Sequence, residues 1–183
     1  MSLEIRKSID SDRSLINHIH EQAFGLENSR EIITLINDLL QDKTAEPCCS
    51  LVAIQQSKIV GHILFSNVKI ISDQGVISAS ILAPLAVIPA AQNQGIGGQL
   101  IHDGINQLKA MGVPVVFVLG YPEYYTRYGF EPAFPRGYIP PYPIVKAQSD
   151  AWMVNILDAD LARKYQGKIH CADAFNHPEY WRE

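Results

Sequence analysis

The stretch that most constrains this chain of 183 residues runs from Leu85 to Gly98, Leu85-Ala86-Val87-Ile88-Pro89-Ala90-Ala91-Gln92-Asn93-Gln94-Gly95-Ile96-Gly97-Gly98. Apolar residues of strand type pass there into a glycine-bearing loop. From about Gly95 to Met111 a helix follows, with Ile96, Leu100, Ile101, Ile105, Leu108 and Met111 at helical spacing, stopped by Gly112 and Pro114. Val115-Val116-Phe117-Val118-Leu119 then shows no polar alternation, the mark of a strand buried on both faces. The whole of Val76 to Leu119 is therefore a strand–helix–strand crossover, and it sets two parallel strands at the middle of a sheet. The loop is also an anion site. The first helical N–H groups lack partners inside the helix, and the helix dipole adds positive potential. Gly95, Gly97 and Gly98 drop the Cβ atoms that would hold a phosphate off the backbone. A pyrophosphate is the natural guest.

The rest of the chain supplies layers around this unit. Leu3 to Lys7 alternates like a half-buried strand. Asp10 and Asp12 precede a helix carrying Leu15, Ile16, Ile19 and Phe24. Asn28 and Glu31 form a capping-box pattern ahead of Ile32, Leu35, Ile36, Leu39 and Leu40 on one helical face. Ser50–Gln55, Lys58–Ile71 and Val76–Val87 read as an antiparallel meander turning at Gln56-Ser57 and at Ser72-Asp73-Gln74-Gly75. After Gly120 the chain turns aromatic and proline-rich, with five of its 11 prolines between Pro132 and Pro143. That segment is stiff and extended; it either covers the core edge or lines a pocket. Trp152–Leu157 and Lys168–Cys171 are further strand candidates, with Asp158 capping a short helix between them.

Two common pyrophosphate readers do not fit. A dinucleotide fingerprint needs a third glycine where Leu100 stands and an acidic residue after the next strand, where the chain reads Val118-Leu119-Gly120. A P-loop needs Gly-Lys-Ser/Thr, which is missing at this place. Instead Gln92-x-x-Gly95-x-Gly97, behind Leu85-Ala86-Val87 and opening an amphipathic helix, resembles the coenzyme A motif of GNAT-type N-acetyltransferases. Downstream, Tyr124-Tyr125-Thr126-Arg127-Tyr128-Gly129-Phe130 matches that family's Tyr-x-x-x-Gly-Phe element, with Tyr125 four residues before Gly129. Gly120-Tyr121-Pro122-Glu123-Tyr124-Tyr125 and Val60-Gly61-His62-Ile63 resemble its YhbS-like branch. The resemblance covers roughly Leu3 to Pro143 in element order.

It implies an α/β fold with a mixed, mostly antiparallel central sheet, a splayed parallel strand pair and flanking helices. The matching part gives a domain over residues 1–143, and the remaining extension, 144–183, is too short and too apolar to be a separate domain and is expected to pack on it. Acetyl-CoA would be the co-substrate: pantetheine pairs with the backbone of Leu85, Ala86 and Val87, the backbone of Asn93, Gln94, Gly95, Ile96, Gly97 and Gly98 cradles the pyrophosphate, and Gln92 of the motif is also cofactor-binding. An N–H of the Leu85–Val87 stretch faces the thioester oxygen, and Tyr125 is the general acid for the departing thiolate. A phenol of pKa ~10 protonating a thiolate of pKa ~8.5 is uphill by ~2 kcal/mol in unperturbed groups, so the phenol mainly hydrogen-bonds the developing charge. Tyr125 could instead simply pack against Tyr124 and Tyr128. His62, Glu27 and Glu123 are the candidate bases. The family's fifth-strand Asn is absent from Val115–Gly120. The acceptor wall is expected from the first two helices, their link (Phe24 to Ser29), and Phe134 to Pro143.

Composition agrees with an enzyme of this kind. With 15 Lys+Arg against 19 Asp+Glu the chain is formally −4, without a basic cluster for nucleic acid. No apolar run reaches the ~18 residues of a membrane span, and Met1-Ser2-Leu3-Glu4 lacks a signal-peptide core, so the expectation is a cytoplasmic protein. Cys48, Cys49 and Cys171 show no disulfide or nucleophile pattern, and His18 and His20 lie on different helix faces, so no metal is expected. The expected activity is direct acetyl transfer to a small-molecule or peptide amine, by a monomer or homodimer. A non-catalytic module that senses acetyl-CoA is the alternative.

Overall fold

The computed structural model describes residues 2–182. β1 (Leu3–Lys7), β2 (Cys49–Gln55), β3 (Lys58–Ser72) and β4 (Gly75–Val87) form the expected antiparallel run, and β5 (Val115–Leu119) joins β4 in parallel. Beyond it lie β7 (Trp152–Ile156) and β6 (Glu131–Pro132), so the sheet order is β1-β2-β3-β4-β5-β7-β6. β8 (Lys168–Cys171) pairs with the far half of β3, past the end of β2. One face of the sheet carries α1 (Arg13–Phe24) and α2 (Leu26–Leu39), with buried Ile16, Leu35, Ile36, Leu64, Ile81, Phe117 and Trp152. The opposite face carries α3 (Ile96–Ala110), over Leu51, Ile63, Phe65, Leu82, Leu100 and Val116. This is the mixed α/β sheet that the crossover demanded.

One irregularity in the sheet shapes everything near the site. Ile63 faces Leu85 and Phe65 faces Leu82, so Leu64 of β3 is opposed by two residues of β4, Ala83 and Pro84. This β-bulge re-aims the strand: Ile81 and Ala83 join the α1/α2 face, whereas Leu82, Leu85 and Val87 all join the α3 face. Pro84 has no N–H to offer a ladder and is accommodated at the bulge. The parallel pairing of β4 with β5 stops at the same place. It holds only Ser80–Leu82 against Val116–Val118, whereas on its other edge β5 stays paired with β7 from Val115 through Leu119. From Ala83 to Val87 the two parallel strands diverge.

Two expectations change in detail. The second helix begins at Leu26, directly after Gly25 at φ 84°, so Asn28 and Glu31 are not a cap but lie within its first turns. The link between the first two helices is that single glycine, not Phe24 to Ser29; a positive φ there breaks the chain direction without a loop. Phe134 to Pro143 covers the core edge. Tyr138 is buried with its hydroxyl donating to the Ala162 carbonyl, and the Trp152 indole N–H donates to the Tyr138 carbonyl. Tyr142 donates to Asn176 farther along the chain.

Candidate active site

The divergence of β4 from β5 opens into a cavity of about 970 Å³. Leu85, Ala86 and Val87 form one wall and Val118, Leu119 and Gly120 the other. Backbone direction follows from the β3 ladder. The Ile88 N–H donates to the Val60 carbonyl at 2.9 Å, and Ala86 lies opposite His62, so alternation turns Leu85 and Val87 toward the opposite, cavity edge. Gln92 Nε2 donates to the Val87 carbonyl at 2.9 Å and ties the loop to the strand.

The floor is the start of α3. Gly95 is its N-cap at φ 80° and Asn93 sits at φ 62°, so successive backbone groups curl around one point. The first helical bond runs from the Gln99 N–H to the Gly95 carbonyl, which leaves the N–H groups of Ile96, Gly97 and Gly98 at the helix mouth. All three residues line the cavity, as do Gln92, Asn93 and Gly95. Gln94 does not: its side chain accepts from Gln55 Nε2 and donates to the Ala90 carbonyl, on the outside of the loop.

The two helical glycines have a reason that the sequence alone did not give. A Cβ on Gly97 would collide with the Tyr124 hydroxyl, and one on Gly98 would come within 2.6 Å of Tyr128 Cε1. The aromatic wall after β5, comprising α4 (Pro122–Tyr125) and the turn to Gly129, therefore packs against the first turn of α3 through Tyr124 and Tyr128. Arg127 is held over both rings, with its guanidinium carbon 5.0 Å from the Tyr124 centroid and 5.7 Å from that of Tyr128. Arg127 lines the cavity and was not singled out from the sequence; its place in the Tyr-Thr-Arg-Tyr run is the signal that was there. Burial, with Tyr128 beside it, pushes the Tyr124 hydroxyl up to about 12.

Tyr125 is buried, lines the cavity and meets the Tyr124 ring edge-on at 5.0 Å and Phe130 at 5.6 Å. Gly120 makes room for it, because a Cβ there would lie 2.5 Å from Tyr125 Cε2. The candidate bases His62, Glu27 and Glu123 are not among the lining residues. His62 is fully buried in the sheet, with Nδ1 2.9 Å from His20 Nε2 and Nε2 2.9 Å from Ser50 Oγ. The roof comes from Phe24, Asn28, Glu31, Ile32 and Leu35 of the first two helices, as expected. Its other half comes not from Phe134 to Pro143 but from the C-terminal tail, through Phe175, Glu179, Tyr180 and Arg182. Tail residues far from any motif carry no local signal for this.

A diverging parallel pair, a bulged strand with edge groups turned into a cleft, and a helix mouth beneath them together form the frame of one family. The chain matches the acetyltransferase (GNAT) domain model over residues 4–133. It belongs to the GNAT acetyltransferase family. As a member it is an acyltransferase of the N-acetyltransferase class. It is 43% identical over 164 residues to the uncharacterised N-acetyltransferase YjhQ of Escherichia coli strain K12, covering 89% of this chain and 88% of the relative. It is 30% identical over 128 residues to YhbS of the same strain, covering 69% and 72%. A crystal structure of Escherichia coli YhbS in complex with CoA superposes with a TM-score of 0.83 at 27% identity, over 96% of this chain and 92% of that one. A GNAT acetyltransferase from Brucella melitensis in complex with acetyl-CoA gives 0.72 at 29% identity, over 95% and 98%. Among the described residues no helix is long and apolar enough to cross a membrane, and no group of His, Cys, Asp and Glu could hold a metal ion.

Proposed function

We propose that this protein transfers an acetyl group from acetyl-CoA directly to an amine held under the roof of the cavity. The observation that supports this most is the wedge between β4 and β5, which ends on the mouth of α3. An extended pantetheine fits as an added strand along Leu85 and Val87, and its pyrophosphate fits the N–H groups of Ile96 to Gly98, with Arg127 supplying countercharge. The amine attacks the thioester carbon in its neutral form, having lost a proton to solvent. The carbonyl oxygen gathers charge and accepts from a backbone N–H of Leu85 or Val87. The nitrogen gives its extra proton to solvent, and the C–S bond breaks with its electron pair going to sulfur. The Tyr125 hydroxyl donates to the leaving thiolate and regains from solvent any proton it gives up, leaving a neutral amide and CoA. The relatives solved with CoA and acetyl-CoA agree with this assignment.

Thermal unfolding with acetyl-CoA, CoA, NADH or ATP, each alone at ~100 times its dissociation constant, tests the cofactor. Binding at that level adds ~2.7 kcal/mol and raises the midpoint by ~5–10 °C for a chain of this length. Acetyl-CoA and CoA should shift it, whereas a shift by NADH or ATP alone would overturn the proposal. Tyr125→Phe separates a transferase from a sensor. We expect kcat to fall by ~10²-fold with CoA binding intact; a sensor would be indifferent to the change.

A further inference from the structure

We propose that the acceptor is an aliphatic amine carrying a second positive charge, a diamine or polyamine, whose far ammonium is held between Glu31 and Glu179 against Tyr180. This rests on the acetyl-transfer assignment above and narrows it to a substrate class. The roof of the cavity has two chemically distinct halves. From α2, Ile32 and Leu35 present an aliphatic strip suited to methylenes, and Glu31 stands one residue before it. From the tail, Phe175 and Tyr180 form an edge-to-face aromatic pair at 5.8 Å, and Glu179 adjoins it.

Carboxylates on an open surface are usually just solvated. Glu31 and Glu179 are exposed as well, but both line the cavity, on two elements 148 positions apart in sequence (179 minus 31), as does the aromatic pair. Neither is ion-paired to another described residue. Both act on one group: burial first, then Asp38 outside the cavity lining, then Glu179 and Glu31 raise the Tyr180 hydroxyl. An ammonium placed there gains two carboxylates and an aromatic face at once. Arg182 lines the same cavity and would instead favour an acceptor with a carboxylate, so the two possibilities give opposite specificities.

Three amines of equal chain length decide between them: 1,6-diaminohexane, hexylamine and 6-aminohexanoate, with thiol release from acetyl-CoA as the readout. Partly exposed ion pairs and a cation–π contact together support a preference of about tenfold in kcat/KM for the diamine over hexylamine. The amino acid should be poorer than either. In Glu31→Gln combined with Glu179→Gln, the ratio of diamine to hexylamine should fall toward one. Equal use of hexylamine, or preference for 6-aminohexanoate, would overturn the proposal, the latter in favour of Arg182. If none of the three turns over, spermidine is titrated into the CoA-bound protein in a thermal unfolding assay. A further rise in midpoint that the double variant loses supports the subsite, and no rise overturns it. Failure of CoA itself to bind would instead sink the acetyl-transfer assignment, and the CoA-only control reports that separately.

Discussion

At Gly98 a single methyl group tests how the site is assembled. Its Cβ would meet the Tyr128 ring at 2.6 to 2.8 Å, closer than packed carbons tolerate, so the ring must move off the helix mouth. Gly98→Ala should therefore lower stability by about 1–3 kcal/mol and weaken CoA binding as well. Adding Tyr128→Leu should restore much of both, because the clash partner is gone. A double-mutant cycle on unfolding midpoint and CoA affinity measures that coupling, and simple additivity would show that the ring and the glycine are independent. Arg127 makes a second prediction. Held over Tyr124 and Tyr128 at the cavity wall, it faces a phosphate-bearing cofactor under our assignment. Arg127→Ala should raise the KM for acetyl-CoA about tenfold and leave that for the phosphate-free acetyl-pantetheine unchanged. An equal effect on both would remove the phosphate contact from the scheme. The sequence marked Gly97 and Gly98 as special because a glycine loop is visible in one dimension. It could not show that tyrosines some thirty residues on would use the same space.

Elements with a clean period were legible. β2 to β5 and α3 fall where alternation, unbroken apolar runs and the Gly112 stop place them. The start of α2 was misread, because Asn28 and Glu31 have cap chemistry while Gly25 has the backbone angle that sets the boundary. The partner of His62 was also invisible, since it lies on another element. His20 of α1 meets it on the sheet face that α1 covers, and Ser50 and Ser8 continue the chain with hydroxyls 2.7 Å apart. This buried pair makes the contact between α1 and the sheet sensitive to acid. Burial lowers the His20 pKa to about 4 and, with the neighbouring His20, holds that of His62 well below its usual range. The unfolded chain takes up these protons near pH 6.5 and the folded one only at lower pH. The His20 contribution is therefore full above about 6.5, falls by about 3 kcal/mol as pH drops toward about 4 and levels off below, and the His62 contribution is lost in the same direction. Asp12 loses stability in the same direction of pH, but because its charged form is favoured rather than its neutral one. The Arg6 hydrogen bond depresses its pKa, so its contribution disappears only at pH values below the ordinary Asp range. Urea unfolding at pH 7.5 and pH 5 should show the histidine loss, and His20→Phe with His62→Leu should flatten it. An undiminished slope in that variant would assign the acid sensitivity to other groups.

At the scale of the whole molecule the question is where the folding unit ends. The matched family domain stops at residue 133 and the motifs at Gly129-Phe130, yet the sheet does not close there. β7 lies between β5 and β6, so the family portion contains two strands whose shared neighbour comes from beyond it. Trp152 of β7 stacks on Phe117 of β5 at 5.0 Å and 6°, and Trp181 packs edge-on against Trp152. The tail is also pinned by its backbone, since the Ala174 N–H donates to Asp42 and the Asp173 N–H to Thr44. These pairings join residues far apart in sequence. A local period can therefore show that Trp152–Leu157 and Lys168–Cys171 are strands but not where they insert. We propose that residues 144–183 are an extension that completes the domain of residues 1–143. Removing them would strip Trp152, Met153, Val154, Ile169, Phe175 and Trp181 from the core. Losing a single buried aromatic side chain costs about 3–5 kcal/mol, against a total stability of about 5–15 kcal/mol for a typical domain. A fragment ending at Pro143 should accordingly show no cooperative urea transition, little near-ultraviolet dichroism and no midpoint shift with CoA. A sharp transition in that fragment, with an m-value scaled to its shorter length, would mean that the first 143 residues fold alone and that the tail only roofs the acceptor pocket.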